Sequence, residues 1–361
     1  MISTAKFPVL FLGMRAAEPE VVHAVQNFLR AHPIPVIETF QAAGSISREL
    51  EHLFFGRVGL FRNQAGDRLL ASADLVITVG YDQFEYDANA WNTHGTARIL
   101  ALDFVPCDFG FYFAPALELV GSVAANLDGL RTMLGAVAAP QDSAAVQAIF
   151  AEFHSWQSLP AAQGKTAGPV HPLYFIRLLQ GQMARDTTVI SDVGSVYIWM
   201  SRFLRSYAPN TLLVSNGQQT LGVALPWAIG ANLAQDPPCA RKVVSVSGDG
   251  GFMFSAQELA TAVKLGCKIA HFVWNDGKYN MVEFQEVDKY GRSAGVELGG
   301  VDFVKLAGAF GAKGLRVSSA GDMQSVMQEA LEYDGVCIVD VEIDYSQNHE
   351  LMQHLIADNI S

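Results

Sequence analysis

The segment Lys242–Gln285 constrains the fold more than any other part of the chain, because it contains strand, turn and helix signals in a fixed order. Residues 242–247 are rich in β-branched side chains, which is typical of a strand covered on both faces. This strand ends in the glycine-rich turn Gly248–Gly251. Ser255 and Glu258 then have the spacing of a capping box, which predicts that a helix begins there.

A second apolar run, Cys267–Trp274, predicts another strand, and it ends in the polar turn Asn275–Gly277. Two parallel strands joined by a helix have their carboxyl ends at one edge, where open α/β sheets bind ligands. Asp249 and Asp276 are expected to converge there and offer the oxygen ligands that Mg²⁺ prefers. Either turn alone would more often have no ligand-binding role. Together, with glycine N–H groups beside them, they predict a metal–diphosphate site.

The same region resembles the thiamin diphosphate motif, in which a Gly-Asp-Gly sequence is followed by an Asn/Asp pair. Asp249 and Asp276 are 27 positions apart, as that motif requires. The surrounding sequences are SNGQQTLGVALPWAIGA at 215–231, VSVSGDGGF at 244–252 and NMVEFQEVDKYGR at 280–292. They are similar to the flavin-independent, catabolic acetolactate synthases, and the resemblance extends from Phe7 to Met352.

The resemblance implies a set of site residues. Asp249 and Asp276 would bind Mg²⁺ through their side chains, and Lys278 would bind it through its backbone carbonyl. The carbonyl of Gln219 and the N–H of Leu221 would hold the aminopyrimidine ring. Most relatives have Met where this chain has Leu221, an exchange that roughly conserves volume. The implied cofactor-binding residues are Ser195, Gln219, Leu221, Gly248, Asp249, Gly250, Gly251, Asp276, Asn280 and Met281.

Gln285 and Tyr345 are the implied substrate-pocket residues. Met281 and Gln285 are one helical turn apart, so both would face the reactive ring of the cofactor. As a bare pattern, such a pair is more often involved in packing than in chemistry. Tyr345 is assigned by resemblance alone.

The implied reaction condenses two molecules of pyruvate to 2-acetolactate and CO₂. No Ser/His/Asp or Cys/His constellation is expected, and no catalytic residue is assigned to this chain. In full-length relatives the activating glutamate lies in a pyrimidine-binding domain, which we expect to be supplied by another polypeptide. Two alternatives stay open: a truncated module that binds Mg²⁺ and diphosphate without turnover, and a related thiamin-dependent 2-oxoacid decarboxylase.

The chain predicts an α/β fold with two doubly wound parallel-sheet domains joined by a linker. Residues 1–134 alternate strand and helix signals and resemble the central domain of the family. Residues 135–170 are rich in Ala, Gln, Gly and Pro and predict a linker that contains a helix at about 143–156. Residues 171–361 predict the diphosphate-binding domain. The glycine fingerprint of dinucleotide sites is missing after the first strand, Phe7–Leu12, which favours a structural role for this domain. The resemblance to catabolic members, whose central domain is empty, implies that no FAD is bound.

Composition excludes several classes of partner. A net charge of −12 argues against a surface that binds nucleic acid or anionic membranes. No apolar run reaches the roughly 18 residues that a membrane span needs. Four cysteines without Cys-x-x-Cys spacing suggest reduced thiols in a cytoplasmic protein. The resemblance adds pyruvate as substrate and a homo-oligomer, or a chain that carries the pyrimidine-binding domain, as partner.

Overall fold

Apolar, β-branched segments form two separate parallel sheets in the computed structural model, which describes residues 1–352. Unit 1 comprises Met1–Ser155 with Ser206–Thr211, and unit 2 comprises Trp156–Arg205 and the chain from Leu212 onward. Each sheet has six strands and every strand pair is parallel. The predicted α/β class with two doubly wound parallel sheets is therefore confirmed.

Unit 1 has the strand order β3-β2-β1-β4-β5-β6, with the chain reversing direction across the sheet between β1 and β4. Its strands are β1 (Pro8–Leu12), β2 (Val36–Thr39), β3 (Phe54–Val58), β4 (Leu75–Val79), β5 (Ile99–Asp103) and β6 (Leu117–Val120). Its helices are α1 (Pro19–Ala31), α2 (Ala65–Ser72), α3 (Ala88–Trp91), α4 (Val123–Met133) and α5 (Ala144–His154).

Unit 2 has the order β11-β12-β10-β9-β7-β8, and its reversal lies between β7 and β9. The strands are β7 (Val189–Ser191), β8 (Leu212–Val214), β9 (Val243–Gly248), β10 (Ile269–Asn275), β11 (Lys313–Val317) and β12 (Val336–Glu342). The helices are α6 (Pro160–Gln163), α7 (Pro172–Gln182), α8 (Ser195–Phe203), α9 (Ala224–Leu233), α10 (Asp249–Met253), α11 (Leu259–Lys264), α12 (Asn280–Tyr290), α13 (Phe303–Ala309), α14 (Met323–Glu332) and α15 (Asn348–Met352).

The helix predicted at about 143–156 is α5, and it belongs to unit 1. Ser143 begins it, since its hydroxyl accepts the N–H of Val146 at 3.4 Å. Phe150 of α5 packs edge-to-face on Phe55 of β3, with ring centroids 5.3 Å apart. The domain boundaries at 134 and 170 stay a prediction.

The helix predicted to begin near Ser255 is present, as a 3-10 turn that continues into α11, but the predicted capping box is wrong. The helix after β9 begins at once with Asp249, and Ser255 precedes a short 3-10 turn, Ala256–Glu258, to which its side chain gives no capping hydrogen bond. The cause is the turn itself: Gly248 has extended backbone angles and is the N-cap of α10. Asp249 is consequently the first residue of a helix.

Strands β9 and β10 lie in the middle of their sheet, and nearly every residue in them is buried. This agrees with the unbroken apolar character that sheets covered on both faces require. Among residues 1–352, no helix is long and apolar enough to cross a membrane.

Candidate functional site

The carboxyl ends of β9 and β10 bring Asp249 and Asp276 to one edge of the sheet in unit 2. Gly248 lies opposite Trp274 in the parallel register, so both strands end at the same level. Asp249 is only 4% exposed. Its Oδ2 accepts the N–H of Gly277 at 2.9 Å, which ties the glycine-rich turn to the turn after β10.

Burial raises the proton affinity of both carboxyl groups, and Asp249 raises that of Asp276 further. Burial is the main cause that raises the pKa of Asp276 to about 7, and the charge of Asp249 adds to it. Hydrogen bonds from the Asn280 side chain and the Lys278 N–H act in the opposite direction. Burial also raises the pKa of Asp249 to about 6. Two desolvated carboxylates close together form a site where a bound cation would remove an electrostatic cost.

This donor set fits a divalent cation that takes most of its ligands from elsewhere. Within residues 1–352, no group of three or more His, Cys, Asp or Glu side chains could hold a metal. Mg²⁺ is usually bound by one or two carboxylates and completes its octahedron with phosphate oxygens and water. Asp249 and Asp276 match the protein part of such a site.

The Lys278 side chain points into a pair of glutamates. Its Nζ lies 2.7 Å from Glu283 and 3.3 Å from Glu297, and these bonds raise its pKa. The ammonium group is therefore neutralised locally beside the proposed cation. The metal ligand proposed from the sequence is the Lys278 carbonyl, which this side-chain arrangement leaves unaffected.

Gly250 has a neighbour that leaves no room for a side chain, whereas a Cβ on Gly251 would make only ordinary contacts. A Cβ on Gly250 would lie 2.4 Å from Cε1 of Tyr279, and a Cβ on Gly251 would lie 3.4 Å from the carboxyl carbon of Asp192. Gly250 is thus needed so that the two turns can pack together. The sequence pattern suggested only that glycine lets the backbone approach phosphate, and it did not reveal this packing constraint.

Ser195 and Asn280 are joined by hydrogen bonds to Asp276. The Ser195 hydroxyl donates to Oδ1 of Asn280 at 2.7 Å, and Nδ2 of Asn280 donates to Oδ2 of Asp276 at 2.8 Å. Asn348 completes this group, because its Nδ2 donates to Oδ1 of Asn280 at 2.5 Å. Sequence reasoning missed Asn348, since no motif surrounds it and its partners are 68 to 153 positions away.

Asp192 is a second residue that sequence reasoning missed. It follows β7, is 1% exposed, and its Oδ1 accepts the N–H of Val193 at 2.8 Å and of Gly222 at 2.9 Å. Burial raises its pKa to about 6. Asp192 thereby attaches the segment that contains Gln219 and Leu221 to the same sheet edge. A signal existed, since an aspartate ends a strand in the Ser-Asp-Val-Gly-Ser sequence.

Gln219 and Leu221 lie in a turn of unusual backbone conformation. Gln219 has φ of +50° and is exposed, whereas Leu221 is half-buried. A Cβ on Gly222, with φ of +82°, would lie 2.6 Å from Cβ of Phe254. Residues 217–220 are exposed, so the turn that contains Gln219 is open to solvent.

The remaining predicted residues differ in exposure. Met281 is half-buried on α12, whereas Gln285 of the same helix is exposed. Tyr345 lies close to Trp274, with ring centroids 6.1 Å apart. Burial raises the pKa of Tyr345 well above its usual value, and the charges of Asp276 and Asp249 raise it further. Tyr345 is therefore a protonated hydroxyl close to both aspartates.

A cleft of about 510 Å³ opens beside Asp276, at the carboxyl ends of β10, β11 and β12. Its lining is polar and charged at most positions, so it is unlike an apolar small-molecule pocket. The lining residues are Asn275, Asp276, Val301, Arg316, Val317, Ser318, Asp340, Glu342 and Ile343.

The corresponding edge of unit 1 is filled by the protein's own side chains. Both carboxyl oxygens of Glu85 accept the N–H of Met14, at 2.9 and 2.8 Å, directly after β1. The Thr39 hydroxyl donates to the same group at 2.5 Å, and the Asp82 N–H at 3.1 Å. Glu85 thus occupies the turn after β1, where dinucleotide-binding sheets of this strand order hold a pyrophosphate.

Comparison with known families matches both units. Residues 192–341 match the model of the thiamine pyrophosphate enzyme C-terminal TPP binding domain, and residues 1–130 match that of the thiamine pyrophosphate enzyme central domain.

Similar proteins include acetolactate synthases. One from Bacillus subtilis (strain 168) is 45% identical over 351 residues, covering 97% of this chain and 61% of the relative. A catabolic acetolactate synthase from Raoultella terrigena is 42% identical, covering 98% and 63%. The large subunit of acetolactate synthase isozyme 2 from Escherichia coli (strain K12) is 24% identical, covering 96% and 62%. The chain spans about three fifths of the length of these relatives.

Proposed function

This chain belongs to the thiamine pyrophosphate enzyme family, and we propose that it is the central and diphosphate-binding part of an acetolactate synthase. The reaction would condense two molecules of pyruvate to 2-acetolactate and CO₂. The observation that carries the proposal is the convergence of Asp249 and Asp276, tied together through Gly277, at the end of β9 and β10. The acetolactate synthases at 42–45% identity support the choice of reaction.

In this proposal the chain's residues hold the cofactor rather than react. Asp249 and Asp276 would bind Mg²⁺ with the Lys278 carbonyl, and Ser195, Gly248, Gly250, Gly251 and Asn280 would contact the diphosphate. When bound, thiamin diphosphate supplies the carbon nucleophile and the electron sink for joining 2-oxoacids. Gln219, Leu221 and Met281 would orient its rings, and Gln285 and Tyr345 would face the substrate. The protonated Tyr345 hydroxyl is suited to donate a hydrogen bond there.

We further propose that unit 1 binds no FAD. Arg15 supports this proposal, because it donates to Asp82 at 2.9 Å and to Asp103 at 2.6 Å across the ends of β4 and β5. Together with Glu85, these groups use the donors and the space that a dinucleotide would need at the strand reversal. A flavin would have to displace a buried carboxyl group and break an ion pair.

The activating glutamate and the second half of each cofactor site would come from a pyrimidine-binding domain outside this chain, within a homo-oligomer or on a partner chain. We propose a cytoplasmic location, which four free cysteines support.

Calorimetric titration of the purified chain with thiamin diphosphate and Mg²⁺ tests the cofactor site. We expect binding that requires the metal and is lost in Asp249→Ala. The matched control is Asp334→Ala, which removes an exposed aspartate before β12 in the same unit. Metal-independent binding, or unchanged affinity in Asp249→Ala, would contradict the assignment.

Product analysis tests the reaction. When a pyrimidine-binding segment is added with pyruvate, we expect 2-acetolactate. Acetaldehyde as the main product would instead indicate a 2-oxoacid decarboxylase, and cofactor binding without any product would indicate a non-catalytic module.

A further inference from the structure

A buried series of hydrogen bonds begins at the indole of Trp199 on α8. Trp199 is 3% exposed, and its Nε1 donates to Oδ1 of Asn348 at 2.6 Å. An indole N–H can only donate, so Asn348 must turn its carbonyl oxygen toward Trp199 and its NH₂ group away. Asn348 is itself buried, at 4% exposure, so the hydrogen bond from the indole fixes which way its amide faces.

The direction set by the indole is passed on to Asn280. Nδ2 of Asn348 donates to the Ser195 hydroxyl at 3.0 Å and to Oδ1 of Asn280 at 2.5 Å. The Ser195 hydroxyl also donates to Oδ1 of Asn280, at 2.7 Å. With its oxygen held by two donors, Asn280 presents its NH₂ group to Oδ2 of Asp276, at 2.8 Å. Flipping either amide would place like groups against each other.

We propose that Trp199 and Asn348 are positioning residues for the metal site, acting through Asn280 to fix the orientation of the Asp276 carboxylate. The inference rests on the proposed function, in which Asp276 binds a divalent cation. Because Asn280 donates to Oδ2 of Asp276, the orientation of Asn280 helps to set the orientation of this carboxylate. Groups that hold a metal ligand in place typically affect metal affinity 10–100-fold.

The geometry also makes the segment after β12 part of the site. The Asn348 N–H donates to the carbonyl of Tyr345 at 2.9 Å, so one turn presents both side chains. Tyr345 lies close enough to Asp276 and Asp249 for their charges to affect its hydroxyl. The turn therefore presents Tyr345 close to the aspartates and Asn348 to Asn280, from a part of the chain with no recognisable motif.

The test titrates the full chain with Mn²⁺ in the presence of inorganic diphosphate, which needs no pyrimidine-binding domain. The variant is Asn348→Asp, which replaces the donating NH₂ by oxygen at constant shape. Asn280 must then turn its NH₂ toward position 348 and its oxygen toward Asp276, whose carboxylate it would repel. We expect Mn²⁺ affinity to fall about 10–100-fold, with the unfolding temperature measured on the same samples.

Two tryptophan variants separate the N–H group from packing. Trp199→Phe keeps a ring and removes only the donor, and we expect affinity to fall about severalfold, toward the lower end of the range for such outer groups. Trp156→Phe is the matched control. Trp156 is also 3% exposed and its ring also lies 5.6 Å from that of Phe203, but its Nε1 has no hydrogen-bond partner in the described residues. We expect unchanged affinity in that variant.

The outcomes distinguish the proposed function from the positioning role of Trp199 and Asn348. Failure of the wild-type chain to bind Mn²⁺ with diphosphate would overturn the proposed function and this inference with it. Wild-type binding with equal affinity in Asn348→Asp and Trp199→Phe would overturn only the positioning role. An equal loss in Trp156→Phe would also overturn it, because the effect would then come from packing. If Asn348→Asp does not fold, the comparison of Mn²⁺ affinity between Trp199→Phe and Trp156→Phe decides whether the positioning role holds.

Discussion

At the scale of single residues, Asp276 illustrates a conflict between binding and stability. Its carboxyl group is held in a position where burial and the neighbouring Asp249 disfavour its charged form. A protein without a ligand gains nothing from this arrangement. At the proposed metal site a bound cation would neutralise both groups, which predicts opposite effects of one substitution on stability and on binding.

We expect Asp276→Asn to stabilise the metal-free chain while weakening metal binding at least about tenfold. The neutral amide removes the repulsion from Asp249, and its oxygen can still accept the hydrogen bond from Asn280. The free energy of unfolding near neutral pH, measured by denaturant in the presence of a chelator, should rise by about 1–2 kcal/mol, allowing for partial solvent screening. A fall in stability would show that the charge is favourable without metal.

Asp334→Asn is the control for this substitution. Lys268 lowers the pKa of Asp334, so its charged form is favoured and neutralising it should not stabilise the chain. Equal stabilisation in both variants would mean that the effect comes from net charge rather than from the site.

Glu85 in unit 1 predicts a pH dependence. Burial raises its pKa from 4.5 to about 7, so between these values the folded chain keeps a proton that the unfolded chain releases. The contribution of Glu85 to stability is therefore complete below about pH 4.5 and is lost as pH rises through about 7. In Glu85→Gln this loss should be absent.

The free energy of unfolding should accordingly fall by about 2 kcal/mol more in the wild type than in Glu85→Gln between about pH 5 and about pH 8. Denaturant titrations of both proteins across this range measure the difference. Glu49→Gln serves as a control. Arg30 lowers the pKa of the exposed Glu49, so this substitution should not remove a loss of stability with rising pH. Parallel curves for wild type and Glu85→Gln would contradict the assignment.

At the scale of elements, the two turns after β9 and β10 act as one unit. Gly250 leaves room for the Tyr279 ring, whose nearest carbon would be 2.4 Å from an added Cβ. Tyr279 is in turn attached to residue 296, since its N–H donates to the Val296 carbonyl at 2.9 Å. A side chain at 250 would thus push apart the turns that hold both aspartates.

We expect Gly250→Ala to destabilise the chain by about 1–3 kcal/mol, the range for forcing extra atoms into a packed site. Tyr279→Ala added to it should recover part of the loss, because the clash disappears. Unfolding measurements on both single variants and the double variant give the coupling between the positions. Additive effects would show that the Gly250 constraint comes from elsewhere.

The same elements show what the sequence could predict. Unbroken apolar runs identified β9 and β10. Parallel pairing of these strands then places Asp249 and Asp276 at the same edge of the sheet, whatever the conformation of the loops. Strand β3 has no such signal, because Gly56 and Arg57 interrupt it. The buried Arg57 pairs with Glu38 at 3.2 Å, a contact between strands that the local sequence pattern does not reveal. The edge strand β11 contains polar and apolar residues in similar numbers, so its sequence signal is as weak as that of β3.

Long-range contacts explain the rest. The Ser255 capping box had the right spacing, but the Ser255 side chain makes no capping hydrogen bond to the turn that follows it. Asn348 and Asp192 depend on partners far away in the sequence, so only the folded chain shows their part in the site. The convergence of Asp249 and Asp276 was predictable because the parallel topology brings them together, whereas the hydrogen-bond partners around them were not.

At the scale of the whole molecule, this chain contains the residues that we propose bind the cofactor, and no residue in it is assigned to activate the cofactor. The relatives are longer, and about two fifths of each lies outside the match. If the activating glutamate belongs to that part, cofactor binding and turnover must be separable. Binding would belong to this chain, and turnover would require an addition.

We therefore expect the purified chain to bind thiamin diphosphate with Mg²⁺ but to form no 2-acetolactate from pyruvate, because no glutamate of its own would reach the aminopyrimidine. Adding the separately expressed segment of the Bacillus subtilis relative that lies outside the match should restore product, measured as acetoin after acid treatment. The same segment with glutamine in place of its activating glutamate, and the intact segment with Asp249→Ala, should both fail. Steady turnover by the lone chain would instead place the activating group within residues 1–361, and the chain's own glutamates would then be the candidates to substitute.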